Sequence, residues 1–159
     1  KKKFIRAIDG RKLWVRSEHS ILNMLFQSAG VICAKKANEL HWKALQERGL
    51  LFDPFRDSSF KGKAFIQIHY HDEAQWEVDE SLVEVLSFDS KGEAEEYEDG
   101  RILSDVTQHD DTFQRCYSIV GEMAVKSAQE AGNYYGLRVN LSADYIVGKN
   151  WAECHLCPH

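Results

Sequence analysis

The run Ile68-His69-Tyr70-His71-Asp72-Glu73-Ala74-Gln75 sets two acids side by side between two segments of alternating apolar residues. Neighbouring carboxylates oppose each other's ionisation, and a divalent cation between them removes that opposition. Mg²⁺ is held in this manner by one or two carboxylates completed by substrate phosphates. A solvated Asp-Glu turn with nothing bound is the bland reading of the same residues. His69, His71 and Asp72 also suggest a small metal-dependent hydrolase, but no distant His-Asp partner accompanies them. The tail Cys154-His155-Leu156-Cys157-Pro158-His159 is the one other metal-like cluster. Zinc sites usually spread their ligand pairs over a longer loop, so no zinc site is expected there.

A second constellation lies near the start of the chain. His19, Asn23 and Gln27 fall at i, i+4 and i+8, which puts them on one helix face. Ordinary wet helix faces carry Lys and Glu, whereas these three are uncharged polar groups able to meet base edges and sugars. Arg6, Arg11, Lys12 and Arg16 stand just upstream and suit phosphate contacts better than base reading.

These residues need elements to position them. Residues 4–16 read as two short strands about the turn Asp9-Gly10. A long helix follows between Ser17, its expected N-cap, and Gly49, its expected stop. Its apolar stripe is Leu22, Leu25, Phe26, Ala29, Ile32, Cys33, Ala37, Leu40 and Ala44. Residues 50–63 read as loop, and residues 64–70 and 74–78 as a strand pair turning at His71-Asp72-Glu73. From Ser87 to Asp110 the sequence is acidic and poorly periodic, which predicts a surface insertion. A second helix is expected from Phe113 through Cys116, Tyr117, Val120, Met123, Ala124 and Ala128 to Ala131, capped by Asp110 or Asp111 and ended by Gly132-Asn133. Leu137, Val139 and Leu141 alternate as a last strand. The order implies an α+β fold, an antiparallel sheet backed by helices.

Composition sets the remaining bounds. At 159 residues and 43% hydrophobic content, one domain with one core is expected. No apolar run approaches the ~20 residues that cross a bilayer. Four cysteines are too few for a disulfide scaffold, and Cys33 and Cys116 read as small core residues on helix faces. The net charge of −5 is unevenly spread. Residues 1–63 hold 14 of the 20 Lys and Arg against 6 acids, while residues 87–111 hold 9 acids against Lys91 and Arg101. The first segment can follow a polyanion and the second repels one, so the two are expected on different faces. The opening Lys1-Lys2-Lys3 carries no initiator Met and no signal peptide, which suggests a piece of something larger.

Four blocks in order carry a resemblance: Asp9-Gly10-Arg11-Lys12-Leu13; His19 with Asn23-Met24-Leu25-Phe26-Gln27-Ser28-Ala29-Gly30; His71-Asp72-Glu73; and Gly148-Lys149-Asn150-Trp151-Ala152-Glu153-Cys154-His155. Together they resemble the end of a family A DNA polymerase of the DNA polymerase I superfamily, of the T-odd phage replicative type. The resemblance covers nearly the whole chain and leaves residues 85–111 private to it. It implies the C-terminal part of a polymerase domain over 1–159: a partial palm with an antiparallel sheet, a long helix toward the fingers and a second packing helix. Asp72 corresponds to the catalytic metal-ligand aspartate and Glu73 to its acidic neighbour. His71 matches the residue beside the primer terminus. Asn23 and Gln27 match minor-groove and template contacts, and His19 the position one turn earlier. Mg²⁺ is the implied cofactor. Primer-template DNA, dNTP, the remaining N-terminal part of the polymerase and a processivity factor are the implied partners, in the cytoplasm of a phage's bacterial host. The family's other metal-binding aspartate and its nucleotide-gripping Lys and Tyr do not occur here, so the chain is expected to be inert alone. A DNA-binding module that kept this fold without the chemistry is the remaining alternative.

Overall fold

The computed structural model describes residues 3–70 and 73–155. The chain opens on a hairpin of β1 (Phe4–Arg6) and β2 (Lys12–Trp14), closed through Gly10 at φ 84°, a left-handed conformation that glycine adopts without strain. The Asp9-Gly10 signal therefore holds. A 3-10 turn at Glu18–Ser20 leads into α1 (Ile21–Glu47). Ser17 precedes that 3-10 turn and its hydroxyl meets Ser20 Oγ at 3.2 Å, so it does not cap α1 as expected. The far end stops as the sequence indicates. Gly49 takes φ 68°, its N–H donates to Gln46 O (3.0 Å), and Leu50 N–H donates to Leu45 O (2.9 Å). These paired bonds satisfy the last carbonyls of the helix.

Two antiparallel strands follow, β3 (Ala64–Tyr70) and β4 (Glu73–Val78), with a register shift between Ile66 and Ile68. Their base is buried and their tip is not. Ala64 is fully buried, while residues 67–70 are exposed. The base joins the main core, where Leu45 of α1, Ala64, and Val120 and Met123 meet under Trp76, Val78 and Leu82.

The acidic segment, expected as a surface insertion, is folded together with its flanks into regular elements. It builds β5 (Val83–Phe88), α2 (Lys91–Glu96), β6 (Thr107–His109) and β7 (Thr112–Ser118), in a three-stranded antiparallel sheet of order β5-β7-β6. Ala94, Leu103 and Ser104 are buried within it. Ser90 Oγ accepts from Glu93 N–H at the start of α2 (3.2 Å), and Arg115 Nη1 donates to Ala94 O (3.2 Å) and Tyr97 O (3.1 Å) at its end. A cation at a helix C-terminus opposes the helix dipole favourably. The expected start of the second helix is thereby corrected. Phe113, Cys116 and Tyr117 lie on β7, and Asp110, at φ 50°, turns the β6–β7 hairpin and does not cap a helix. The helix itself, α3 (Ile119–Tyr134), begins six residues after Phe113 and continues past Gly132-Asn133 to a stop at Gly136, φ 65°.

Residues 137–141 form no strand, because no neighbouring strand pairs with them among the described residues. Val139 is exposed and Leu141 packs on Gly132 of α3. Tyr145 then anchors the returning chain. Its hydroxyl accepts from Ser118 N–H (3.1 Å) and lies 2.8 Å from Ile102 O and 3.1 Å from Cys116 O. A Cβ added at Gly121 would stand 2.5 Å from the Tyr145 ring, so only glycine lets that ring lie on α3. The described chain ends in α4 (Trp151–His155), which the sequence reading did not anticipate. The whole is α+β: small antiparallel sheets, a long helix and packing helices.

Candidate functional site

Two groups of candidate residues have distinct supports. Asp72 and His71, which join β3 to β4, lie outside the described residues. Glu73 is described and corrects the expected turn: it is the first residue of β4 and pairs across the strands with Tyr70. Its carboxylate is exposed, and Oε1 accepts from Gln75 Nε2 at 2.8 Å. The C-terminal helix α4 carries Cys154, whose thiol burial and then Glu153 raise above its usual range against the Gly148 backbone bond, with a smaller rise from Glu73. That end is fixed by its own chemistry. Asn150 Oδ1 accepts from Glu153 N–H (3.1 Å), while the Glu153 side chain accepts from Lys149 N–H (2.8 Å) and Asn150 Nδ2 (2.9 Å). This reciprocal capping starts α4 and explains locally why Asn150 and Glu153 stand three apart.

Among the described residues no group of three or more His, Cys, Asp or Glu could hold a metal ion. Glu73 contributes one exposed carboxylate. Of the Cys/His tail, Leu156 to His159 lie outside the described residues, and so do the His71 and Asp72 of the hydrolase alternative; His69 is exposed on β3.

The second group stands on the hairpin and α1. Asn23 and Gln27 are exposed one helical turn apart, with His19 exposed in the 3-10 turn before them. Leu22 and Phe26, expected in the buried stripe, are 66% and 69% exposed beside them. The reason is length. A 27-residue helix runs about 40 Å and its 16-residue partner α3 about 24 Å, so α1 overhangs. Two side chains that tie α1 to α3 lie in its C-terminal half: Lys36, whose Nζ sits 4.2 Å from the Tyr134 ring, and His41, whose Nε2 meets Val120 O at 3.0 Å. The overhang carries the polar stripe into solvent, where a ligand could reach it.

The four upstream cations are all exposed but not equivalent. Arg11 is turned onto Asp9, with Nε and Nη2 each 2.6 Å from Oδ2, so it braces the hairpin turn. Arg6 donates from Nη1 to Gly10 O at 2.9 Å. Arg6 and Lys12 are direct cross-strand partners. Like charges placed opposite one another are unfavourable unless an anion meets them. Sequence reading missed Phe4 and Trp14, which share this outward face; the alternation of Phe4-Ile5-Arg6 and Lys12-Leu13-Trp14 was the available signal.

No family model matches the chain. Among curated proteins it is similar to two phage enzymes, each named a DNA-directed DNA polymerase. The one from Escherichia phage T7 is 28% identical over 98% of this chain, and the one from Enterobacteria phage T3 is 29% identical over 98%. The chain spans only 16% of the length of either relative. It is thus related to phage DNA polymerases. Among the described residues no helix is long and apolar enough to cross a membrane.

Proposed function

We propose that the chain is the C-terminal part of the polymerase domain of a family A DNA-directed DNA polymerase, of the T-odd phage replicative type. One observation carries the reading: similarity to phage DNA polymerases runs over 98% of the chain, and so takes in the α1 stripe, the β3–β4 acids and the 148–155 motif together. In this reading Asp72 would hold Mg²⁺ with Glu73 beside it. The ion, when bound, supplies positive charge that draws the primer hydroxyl toward its alkoxide form and offsets charge on the transferred phosphate. The chain's own residues position the substrates. Asn23, Gln27 and His19 face the base pairs at and behind the primer end, His71 adjoins that end, and Arg6, Lys12 and Arg16 lie along phosphates.

Phosphoryl transfer between two metals needs carboxylates on both sides, and these residues bring one side. The remaining N-terminal part of the polymerase supplies the second aspartate and the groups that hold dNTP, so the chain is inactive by itself. Palm describes the β3–β4 hairpin with α3, and α1 reaches toward the fingers. The site of action is the cytoplasm of the phage's bacterial host, with a processivity factor where the complete enzyme uses one.

The test is primer extension with Mg²⁺ by the chain alone, by the remaining polymerase alone, and by the two mixed. Incorporation is expected in the mixture only. Metal-dependent hydrolysis or incorporation by the isolated chain would contradict this and favour a small metal-dependent enzyme. A mixture that binds duplex yet never incorporates would favour a binding module.

A further inference from the structure

The outward face of the β1–β2 hairpin holds four side chains and no acid. Phe4 pairs across the strands with Trp14, and Arg6 with Lys12, while Ile5 and Leu13 point to the other side. Direct partners, and residues two apart along one strand, share a face, so all four stand together. Trp14 is 54% exposed and Phe4 41%. Phe4 and Trp14 meet edge to face, the centroids 5.7 Å apart and the planes at 71°. Lys12 Nζ lies 4.9 Å from the Phe4 centroid and so covers one face of that ring. Phe4 is thereby engaged by Lys12 as well as by Trp14, and Trp14 keeps the larger open surface. The nearby carboxylates are already matched, Asp9 by Arg11 and Glu18 by Lys3 at 3.5 Å.

We propose that this face is a stacking platform for single-stranded DNA, with Trp14 taking the face of a base and Arg6 and Lys12 the flanking phosphates. Two features favour a nucleotide on this face. Large exposed aromatic surface is unfavourable in water, and a cross-strand cation pair is unfavourable without an anion; a nucleotide relieves both at once. The strand must be single, because bases in a duplex already cover one another's faces and only an unstacked base offers one. Aromatic stacking accepts every base, as a polymerase template requires. The platform rests on the nucleic-acid side of the proposed function and adds the substrate form and the residue that grips it.

Fluorescence anisotropy separates the two contributions. A labelled fifteen-nucleotide thymidine strand and an abasic strand of equal length are each titrated with the 159-residue chain. The chain is expected to prefer the strand with bases by on the order of 10-fold. Trp14→Ala should bring that preference to within about twofold, and Trp14→Phe should keep most of it. Lys12→Gln should weaken both strands alike and reduce the salt slope by about one. Circular dichroism melts verify that the variants are folded, and Trp14→Phe keeps the test decisive if Trp14→Ala is not. Equal affinity of the native chain for both strands, or a base preference that survives Trp14→Ala, would overturn the platform. A uridine strand bound tenfold tighter than thymidine would overturn the assignment to DNA. The two readings fail separately: incorporation lost in Asp72→Asn with base preference intact in Trp14→Ala sinks the platform alone, and the converse sinks the polymerase reading alone.

Discussion

In the proposed function, Asn23 and Gln27 act as a shape sensor that needs little chemistry. Minor-groove acceptors occupy nearly the same positions in every correct base pair, so neutral donors aimed there register geometry without reading sequence. A mispair displaces the acceptor, and a donor left without its partner costs about 1–3 kcal/mol once it is enclosed. In the assembled polymerase, Gln27→Ala is therefore expected to lower extension of matched ends modestly and to shrink the gap between matched and mismatched ends by about 5- to 100-fold. Extension of paired and mispaired primers measures both. Unchanged rates and an unchanged ratio would mean that Gln27 is merely solvated on the α1 overhang. The type and spacing of these residues were legible in the sequence; their exposure depends on how far α3 reaches along α1, which no local pattern encodes.

At the scale of elements, the contact of α1 with α3 passes through a buried histidine. His41 is 2% exposed, packs with its ring tilted 59° to that of Trp76 at 4.6 Å, and bonds to Val120 O. Burial lowers its pKa to about 4, against the raising effect of that bond. In the unfolded chain it titrates near 6.5, so between those values the unfolded state binds the proton that the native state refuses. Stability should consequently fall as pH drops from about 6.5 toward 4, by up to about 3 kcal/mol. Urea midpoints across this range, for the native chain and for His41→Gln, test it; an equally steep loss in the variant would assign the effect to other groups. The elements themselves were legible where one face is wet. The β1–β2 and β3–β4 hairpins and the α1 stop at Gly49 follow from alternation and glycine, whereas α3 runs past the expected Gly132-Asn133 to Gly136. The sequence of β7 predicts helix because α2 covers one of its faces and Cys116 and Ser118 are buried on the other, and a strand enclosed on both sides loses its alternation. Leu137, Val139 and Leu141 alternate without forming a strand, since alternation supplies a face but not a partner edge.

Across the whole molecule, charge is divided between a basic start and an acidic sheet module of β5, α2, β6 and β7. Glu93, Glu96 and Glu98 are exposed on that module, and its interior is packed, so the acids belong to its surface and not to a detachable loop. If the module faces away from DNA, its charge is screened beyond about 8 Å at physiological salt. Replacing those three with Gln should leave primer-template affinity within about twofold, and a tenfold change in either direction would place the module beside the phosphates. The central claim rests on Asp72, which the sequence singles out through the His71-Asp72-Glu73 block of the resemblance, since two adjacent acids by themselves read equally as a solvated turn. Single-turnover incorporation by the assembled polymerase carrying Asp72→Asn tests it most directly. Removing one fixed charge from the transition state should slow incorporation on the order of 100-fold or more, with primer-template affinity within a few-fold of the native value. A near-native single-turnover rate would contradict the claim.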